Sequence, residues 1–517
     1  MKQVLCFLAC ICLGVGSICA QVVTKQILIV NGGKFSFTPG FPEDPANVQI
    51  YDPAQNTYRT LDTIGTTSVQ DLIVSGTEAY LAAGDSIIRY DLVNETRLAA
   101  QIFGGESTVT LALTDQYLLV GNFFLPFNST GPYPNNLRIF NRETLAVIDS
   151  IPELARPVKS IAIVGESAYV TQNFSNQSFA DSAGFLVKID LNTFDVLDTI
   201  QVNQNQEDLG PLVQVDSVLY GLNGASNTIT ALDLRTDMAS TDTANAIISP
   251  GVYGSRFAFD EKGEFFLVIN GQIGRYDLAN RSVIEAGIVD TVITAFALDT
   301  LSDRFYVTQT DFFSFQGGII YDRQGMRIDT LLTGFAPEVI APVYNHLPIF
   351  ADQAAETMEN MAVSIALNGQ DDDAISYEVI TLPLNGQAQL SNDTLTYTPN
   401  TDFSGEDSLL VAAIDLWNDR DTAQLNIAVT PITKLPGGSL QLIKVYPIPA
   451  RDYLNLAWDP NQWQGNIQVL NALGQVLFDQ VAPQQGQLKL EVSHWPSGQY
   501  WVRGEGSVGT WQVAWRK

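Results

Sequence analysis

At 517 residues the chain is too long for one ordinary hydrophobic core, so two to four domains are expected, one of them large if its β-architecture is closed. Its 56 acidic against 27 basic side chains leave a formal charge of −29, which argues against nucleic-acid binding, because phosphate contacts need clustered Lys and Arg. The same charge reads either as solubility of an exposed surface or as carboxylates available to a divalent cation.

The chain opens with Met1 and Lys2, then an apolar stretch from Val4 to Ile18 that ends at Ala20 before Gln21. This is the layout of a secretory signal peptide over residues 1–20, and the stretch is short for a membrane span. Cys6, Cys10, Cys12 and Cys19 are the four cysteines of the chain and all lie inside it. Their expected removal takes disulfides, thiolate metal sites and cysteine nucleophiles away together. The two histidines, His346 and His494, lie outside residues 26–345, which excludes a Ser-His-Asp relay or histidine-bound zinc there.

Residues 26–345 carry a weak repeat: an aromatic or apolar run, a tip, then an apolar residue followed by Asp or Asn. The pairs are Tyr51-Asp52, Tyr90-Asp91, Phe140-Asn141, Ile189-Asp190, Leu232-Asp233, Tyr276-Asp277 and Tyr321-Asp322, spaced by 39, 50, 49, 43, 44 and 45 residues. Such periods match one four-stranded propeller blade each, so seven blades are expected over residues 21–346. Blade two is the clearest, with strands expected at 72–74, 79–83, 87–92 and 97–102 and turn residues such as Gly76, Gly84 and Asp85 between them. The recurring Asp or Asn reads as a turn cap acting through its own side chain, since chemistry would not need it seven times. Blade one lacks an inner strand before Gln26, while residues 337–343 resemble an inner strand with no blade after it. The last strand should therefore close the first blade and remove the exposed sheet edges.

Tyr169, Val170, Thr171, Gln172 and Asn173, and again Tyr306, Val307, Thr308 and Gln309, resemble the signature of the YVTN family of seven-bladed propellers found in exported surface proteins. That resemblance implies the fold; it implies no single activity, because propellers host lyases, lactonases and binding proteins alike.

The connections between second and third strands share one face and differ in length, with those of blades two and six the briefest. The long ones hold aromatics among Asn, Gln and Ser: Phe35, Phe37 and Phe41 in blade one, and Phe123, Phe124, Phe127 and Tyr133 in blade three. Blade four adds Phe174 and Phe179, and blade seven adds Phe312, Phe313 and Phe315. Rings interleaved with amides suit recognition of a peptide or glycan; rings in long loops also serve to pack those loops onto the propeller. Both readings stand at this level. Asp181, Glu207, Asp208 and Asp311 lie in or near the same loops, available for acid and base roles or for calcium, but in a spacing that matches no motif and suits plain solvation.

Beyond His346 the repeat stops. Residues 347–431 read as one immunoglobulin-like sandwich with strands expected at 363–367, 375–380, 394–398, 408–414 and 423–429. Leu384-Asn385-Gly386, Tyr397-Thr398-Pro399-Asn400 and Phe403-Ser404-Gly405-Glu406-Asp407-Ser408 resemble cadherin-like modules of bacterial surface proteins, which implies a spacer. Asp371, Asp372 and Asp373 are weak calcium candidates, and calcium is the one cofactor considered. A Pro- and Gly-bearing linker spans 432–439.

Residues 440–517 hold the most specific pattern. Val445, Tyr446, Pro447, Ile448, Pro449 and Ala450, then Asp452 and Leu454, Gly474, Gly498 and Tyr500, resemble a type IX secretion C-terminal sorting domain of type A, with Ile448 replacing the usual asparagine. Read from the residues alone, this segment is a small antiparallel sandwich with turns at Gly474 and Gly498. The resemblance implies an address read by an outer-membrane secretion machine. The expectation is thus an all-β chain, a seven-bladed β-propeller followed by two small β-sandwich domains, exported to the cell surface or the medium, without an integral membrane span. Its expected partners are the type IX secretion machinery, through 440–517, and an extracellular peptide or glycan. The alternative expectation is a carboxylate-based glycan hydrolase or lyase on the propeller face.

Overall fold

Apolar runs of three to ten residues, broken by turns in which Asn56, Asp216, Asn227, Asp237, Asn270 and Asp303 take a left-handed φ, give strands and tight reversals rather than helices. The computed structural model describes residues 21–34, 44–103, 107–123, 136–154, 157–175, 181–203, 209–224, 226–248, 257–260, 262–310, 315–432, 443–506 and 509–517. The expected signal peptide lies outside them.

In the first compact unit, ending at His346, the strands form seven four-stranded antiparallel sheets. Blade two runs Val69–Ser75, Glu78–Ala83, Ser86–Asp91 and Thr96–Ile102 from the inside out. The fold is a seven-bladed β-propeller. Blade one takes its inner strand from Pro337–His346, which pairs antiparallel with Val22–Asn31 from Val22 opposite His346 to Asn31 opposite Pro337. The ring therefore closes by joining the two ends of the repeat region, as the missing first strand required. Apolar clusters sit between blades: Ile27, Ile29 and Tyr51 of blade one pack with Ala295, Ala297, Tyr306 and Ile320 of blade seven, and similar clusters join blades two to three and three to four. Each sheet is thus buried on both faces, which is why its second and third strands read as apolar runs.

The inner strands of blades one, two and three each carry one extra residue near the start. Pairing skips Glu338, Gln70 and Val109. Such bulges bend a strand and re-aim its side chains.

The second unit, Leu347–Lys517, contains four sheets. Residues 353–430 make a sandwich of a four-stranded and a three-stranded sheet around Leu395, Tyr397, Val411, Leu425 and Ile427. Two of its seven strands were not expected: Gln353–Met358, which pairs in parallel with Arg420–Thr430, and Gly386–Ser391. Both are polar and only alternately half-buried, so propensity is silent and the pairing partner decides. Residues 443–516 make a second sandwich, three strands against four, around Trp463, Leu454, Val469, Tyr500 and Trp515.

Candidate binding face

Strand order fixes what each face of the propeller carries. Links from inner to second strand and from third to outer strand lie on one face; links from second to third strand and from each blade to the next lie on the other. On the first face the recurring Asp or Asn caps the turn in every blade. The Asp52, Asp91, Asn141 and Asp190 Oδ1 atoms each accept two amides two and three residues on, at 2.7–3.1 Å. Asp233, Asp277 and Asp322 accept amides of their own turns in the same way. Charges on this face have partners within the protein: Arg89 with Glu78, and Arg323 with Asp260 and Glu264.

The opposite face bears the long links. Ile102, Ile247, Val292, Phe315 and Leu332 all lie at its links or strand ends and are 57–71% exposed; at the links and strand ends of the capped face Val147, Met238, Leu301 and Met326 are 37–70% exposed. Phe315 meets Phe335 edge-on at 6.2 Å between ring centres, and the Lys34 ammonium lies 6.0 Å from the Phe335 ring. The lengths of the second-to-third links follow expectation, with two residues in blades two and six against fourteen in blade one. Of the aromatics expected in these loops, Phe35, Phe37, Phe41, Phe124, Phe127, Tyr133, Phe179, Phe312 and Phe313 lie outside the described residues, as do Glu207, Asp208 and Asp311. Two assignments are corrected: Phe123 and Phe174 belong to strands, Tyr117–Phe123 and Ser167–Ser175, where they pair with Ser107 and Ala183. Asp181, expected in or near a loop, is the first residue of the strand Asp181–Asp190. Aromatic residues have high strand propensity, and here a neighbouring strand is long enough to pair with them.

Tyr169–Gln172 and Tyr306–Gln309 begin alike, at the third residue of the second strand of blades four and seven, and Gln309 follows the end of its strand Arg304–Thr308. Their threonines stitch backbone. Thr171 Oγ1 accepts the Ser160 amide at 3.0 Å, and Thr308 Oγ1 donates to the Pro337 carbonyl of the closing strand at 2.9 Å.

Two carboxylates at the bulged inner strands were missed by sequence reading. Glu338 is 8% exposed, and its Oε2 accepts the Val69 amide of blade two at 3.3 Å. It occupies the space beside Gly32, where a Cβ would lie 2.6 Å from its Oε1. Burial pushes its carboxyl up to about 7, against the pull of the Val69 N–H. Asp71 does for blade three what Glu338 does for blade two: its Oδ2 accepts the Leu111 amide at 2.8 Å and the Thr110 hydroxyl at 3.3 Å, while its Oδ1 accepts the Leu72 amide at 2.9 Å. Burial raises it to about 6 despite these bonds. Each carboxylate holds the next inner strand. The only signal in sequence was an acid inside an apolar inner strand.

In the Ig-like sandwich Asp371, Asp372 and Asp373 do not form a ligand set. Asp371 Oδ1 accepts the Asp372 amide at 2.6 Å, and burial, then the charges of Asp415 and Asp373, raises its pKa. Among the described residues no group of three or more His, Cys, Asp or Glu is placed to hold a metal ion.

In the last sandwich Tyr446 ends a strand, cis peptide bonds precede Pro447 and Pro449, and the buried Ala450 donates its amide to the Arg516 carbonyl at 3.0 Å. The Asp452 carbonyl accepts the Val492 amide at 2.8 Å. Tyr500 stacks on Trp515 at 4.9 Å. Gly474 takes φ +77° in a tight turn, as expected. Gly498 lies in a bend that leads into the strand Gln499–Gly506, without a positive φ, and its backbone exchanges hydrogen bonds with Lys517 at 3.2 and 3.0 Å.

Compared with known families, residues 345–428 match the bacterial Ig domain, and residues 444–512 match the secretion system C-terminal sorting domain. The chain is exported across the outer membrane, to the cell surface or the medium. Among the described residues no helix is long and apolar enough to cross a membrane. The sorting domain thus accounts for Tyr446 to Tyr500 as parts of an address, separate from the propeller. No curated protein matches the chain in sequence. Solved structures similar to it include candidate 6-phosphogluconolactonases of Bacteroides fragilis and Bacteroides uniformis, each 11% identical with a TM-score of 0.43. They cover 62% of this chain and 98% and 100% of their own. The Dos1 propeller is 14% identical at a TM-score of 0.38, covering 51% of this chain and 72% of its own. Resemblances this distant carry no functional weight.

Proposed function

We propose that this exported chain is a binding or adhesion protein that captures a peptide or glycan on the loop-bearing face of its propeller, with the Ig domain as spacer and the sorting domain as address. The observation that carries this reading is the set of exposed residues Ile102, Ile247, Val292, Phe315 and Leu332 on the face that bears the long second-to-third links, opposite the face of capped turns. Exposed apolar residues gathered on one surface mark interaction sites, and a ring such as Phe315 gives contact area at little entropic cost. The test is the secreted chain on peptide and glycan arrays, followed by the double substitution Phe315→Ala and Val292→Ser. Capture should weaken by about tenfold or more, the scale of losing a central apolar anchor, with the melting temperature unchanged. Unaltered capture, or no ligand in either class, removes this reading.

The hydrolase or lyase alternative draws support from the raised carboxyls of Glu338 and Asp71, because acid and base roles at neutral pH need such shifts. Each of these carboxylates, however, is engaged with the backbone of the next blade rather than with the other. Release of sugar fragments by the wild-type chain, abolished by Glu338→Gln, would favour the enzyme.

A further inference from the structure

We propose that the hairpin formed by Gly465–Asn471 and Val476–Val481 is the surface on which the sorting domain is recognised, and that its occupant is an apolar, uncharged strand of the outer-membrane secretion machinery added along Val476–Val481. The proposal rests on the sorting reading of residues 444–512. Val476–Val481 is an edge strand: Gly465–Asn471 pairs with one side, and among the described residues nothing pairs with the other. Its side chains are unusual for an edge. Val476 is 49%, Leu477 42% and Val481 73% exposed, and Leu473 at the hairpin tip is 83% exposed. A bulge places Leu477 between the pairs Leu470–Val476 and Val469–Phe478, so two successive apolar side chains stay in solvent while Phe478 packs on the core.

Folded proteins protect free edges with Lys, Pro or inward charges. This edge has one bulge and one carboxylate and nothing more: Asn471 to Val481 contains no Lys, Arg or Pro, and its carboxylate, Asp479, accepts hydrogen bonds from the side-chain amides of Asn466 and Gln468. Two other edges of the second unit carry charge: Ser376–Thr381 has Glu378 paired with Arg420 at 2.6 Å, and Gly509–Arg516 ends on Arg516, followed by Lys517. The tip is also held in one shape. Asn471 Oδ1 accepts the amides of Leu473 and Gln475 at 3.0 Å each, and its Nδ2 donates to Gln475 Oε1 at 2.8 Å. A preorganised, largely apolar edge without Lys, Arg or Pro is suited to strand addition, in which backbone hydrogen bonds give affinity and flanking side chains give specificity.

The experiment uses the full chain in a host with a competent secretion system and measures the fraction at the surface or in the medium against that in the periplasm. The triple substitution Leu473→Lys, Leu477→Lys and Val481→Lys should lower the delivered fraction by about tenfold or more, as expected when charge blocks a central apolar contact, with periplasmic accumulation and an unchanged melting temperature. Leu98→Lys, Met238→Lys and Ile284→Lys, on exposed outer strands of the propeller, should be delivered like the wild type. Should the lysine variant melt early, Leu473→Ser with Leu477→Ser carries the same expectation. Wild-type delivery of a well-folded hairpin variant overturns the proposal. Retention of the wild-type chain itself in the periplasm instead overturns the sorting reading, and the hairpin proposal falls with it.

Discussion

Glu338 shows how much one side chain can bear in a closed ring. Its carboxyl lies at the bulge of the closing strand, bonded to the Val69 amide and almost out of water, so the neutral form suits the fold. Its folded value, about 7, stands above the ordinary 4.5, so its contribution to stability is complete below about pH 4.5 and is lost as pH rises through about 7. The loss is on the order of 3 kcal/mol. Glu338→Gln keeps the acceptor without the charge. Thermal melts of the two proteins should therefore coincide below about pH 4.5, diverge as pH rises from there, and be fully separated near pH 7, with the glutamine variant the more stable; parallel curves at every pH would contradict this account. Neither Glu338 nor Asp71 was legible in sequence, since each is a lone acid whose partner lies in the next blade. The turn-capping residues Asp52 to Asp322 were legible, because their partners are two or three residues away and the pattern recurs.

Among elements, the strand Pro337–His346 decides the architecture. Without it blade one keeps Val22–Asn31 as a naked inner strand, and Ile27, Ile29 and Ile340 lose their shared cluster with blade seven. Deletion of residues 336–345 is expected to give an open ring that aggregates, because an apolar edge of ten residues is an effective template for pairing. Solubility after expression and a calorimetric scan are the measurements, and a soluble product with a cooperative transition would refute the closure. The strand was readable as an unpaired inner strand at the end of the repeat. By contrast Gln353–Met358 and Gly386–Ser391 were invisible, and Phe123 and Phe174 were expected in loops. In each case a neighbouring strand, not local propensity, sets the outcome.

At the scale of the molecule, export and the proposed binding fall to different parts. The match over residues 444–512 concerns delivery, and the role proposed for the exposed apolar residues of the propeller concerns what is met after delivery. Removal of residues 444–517 should leave the chain in the periplasm of a competent host while the propeller keeps its melting transition, measured by fractionation and calorimetry. Delivery of the truncated chain would show that the address lies elsewhere. The net charge of −29 keeps such a chain soluble during transit and disfavours anionic polymers as ligands.

The sequence by itself determined the seven repeats, their turn caps, the closing strand and the address, because each is written in short-range periodicity or in residues adjacent along the chain. Only the tertiary structure decided that Glu338 and Asp71 stitch neighbouring blades, that Ile102, Ile247, Val292, Phe315 and Leu332 share the loop-bearing face, and that Val476–Val481 is a sheet edge. Those properties depend on which distant strands become neighbours and on what water can no longer reach.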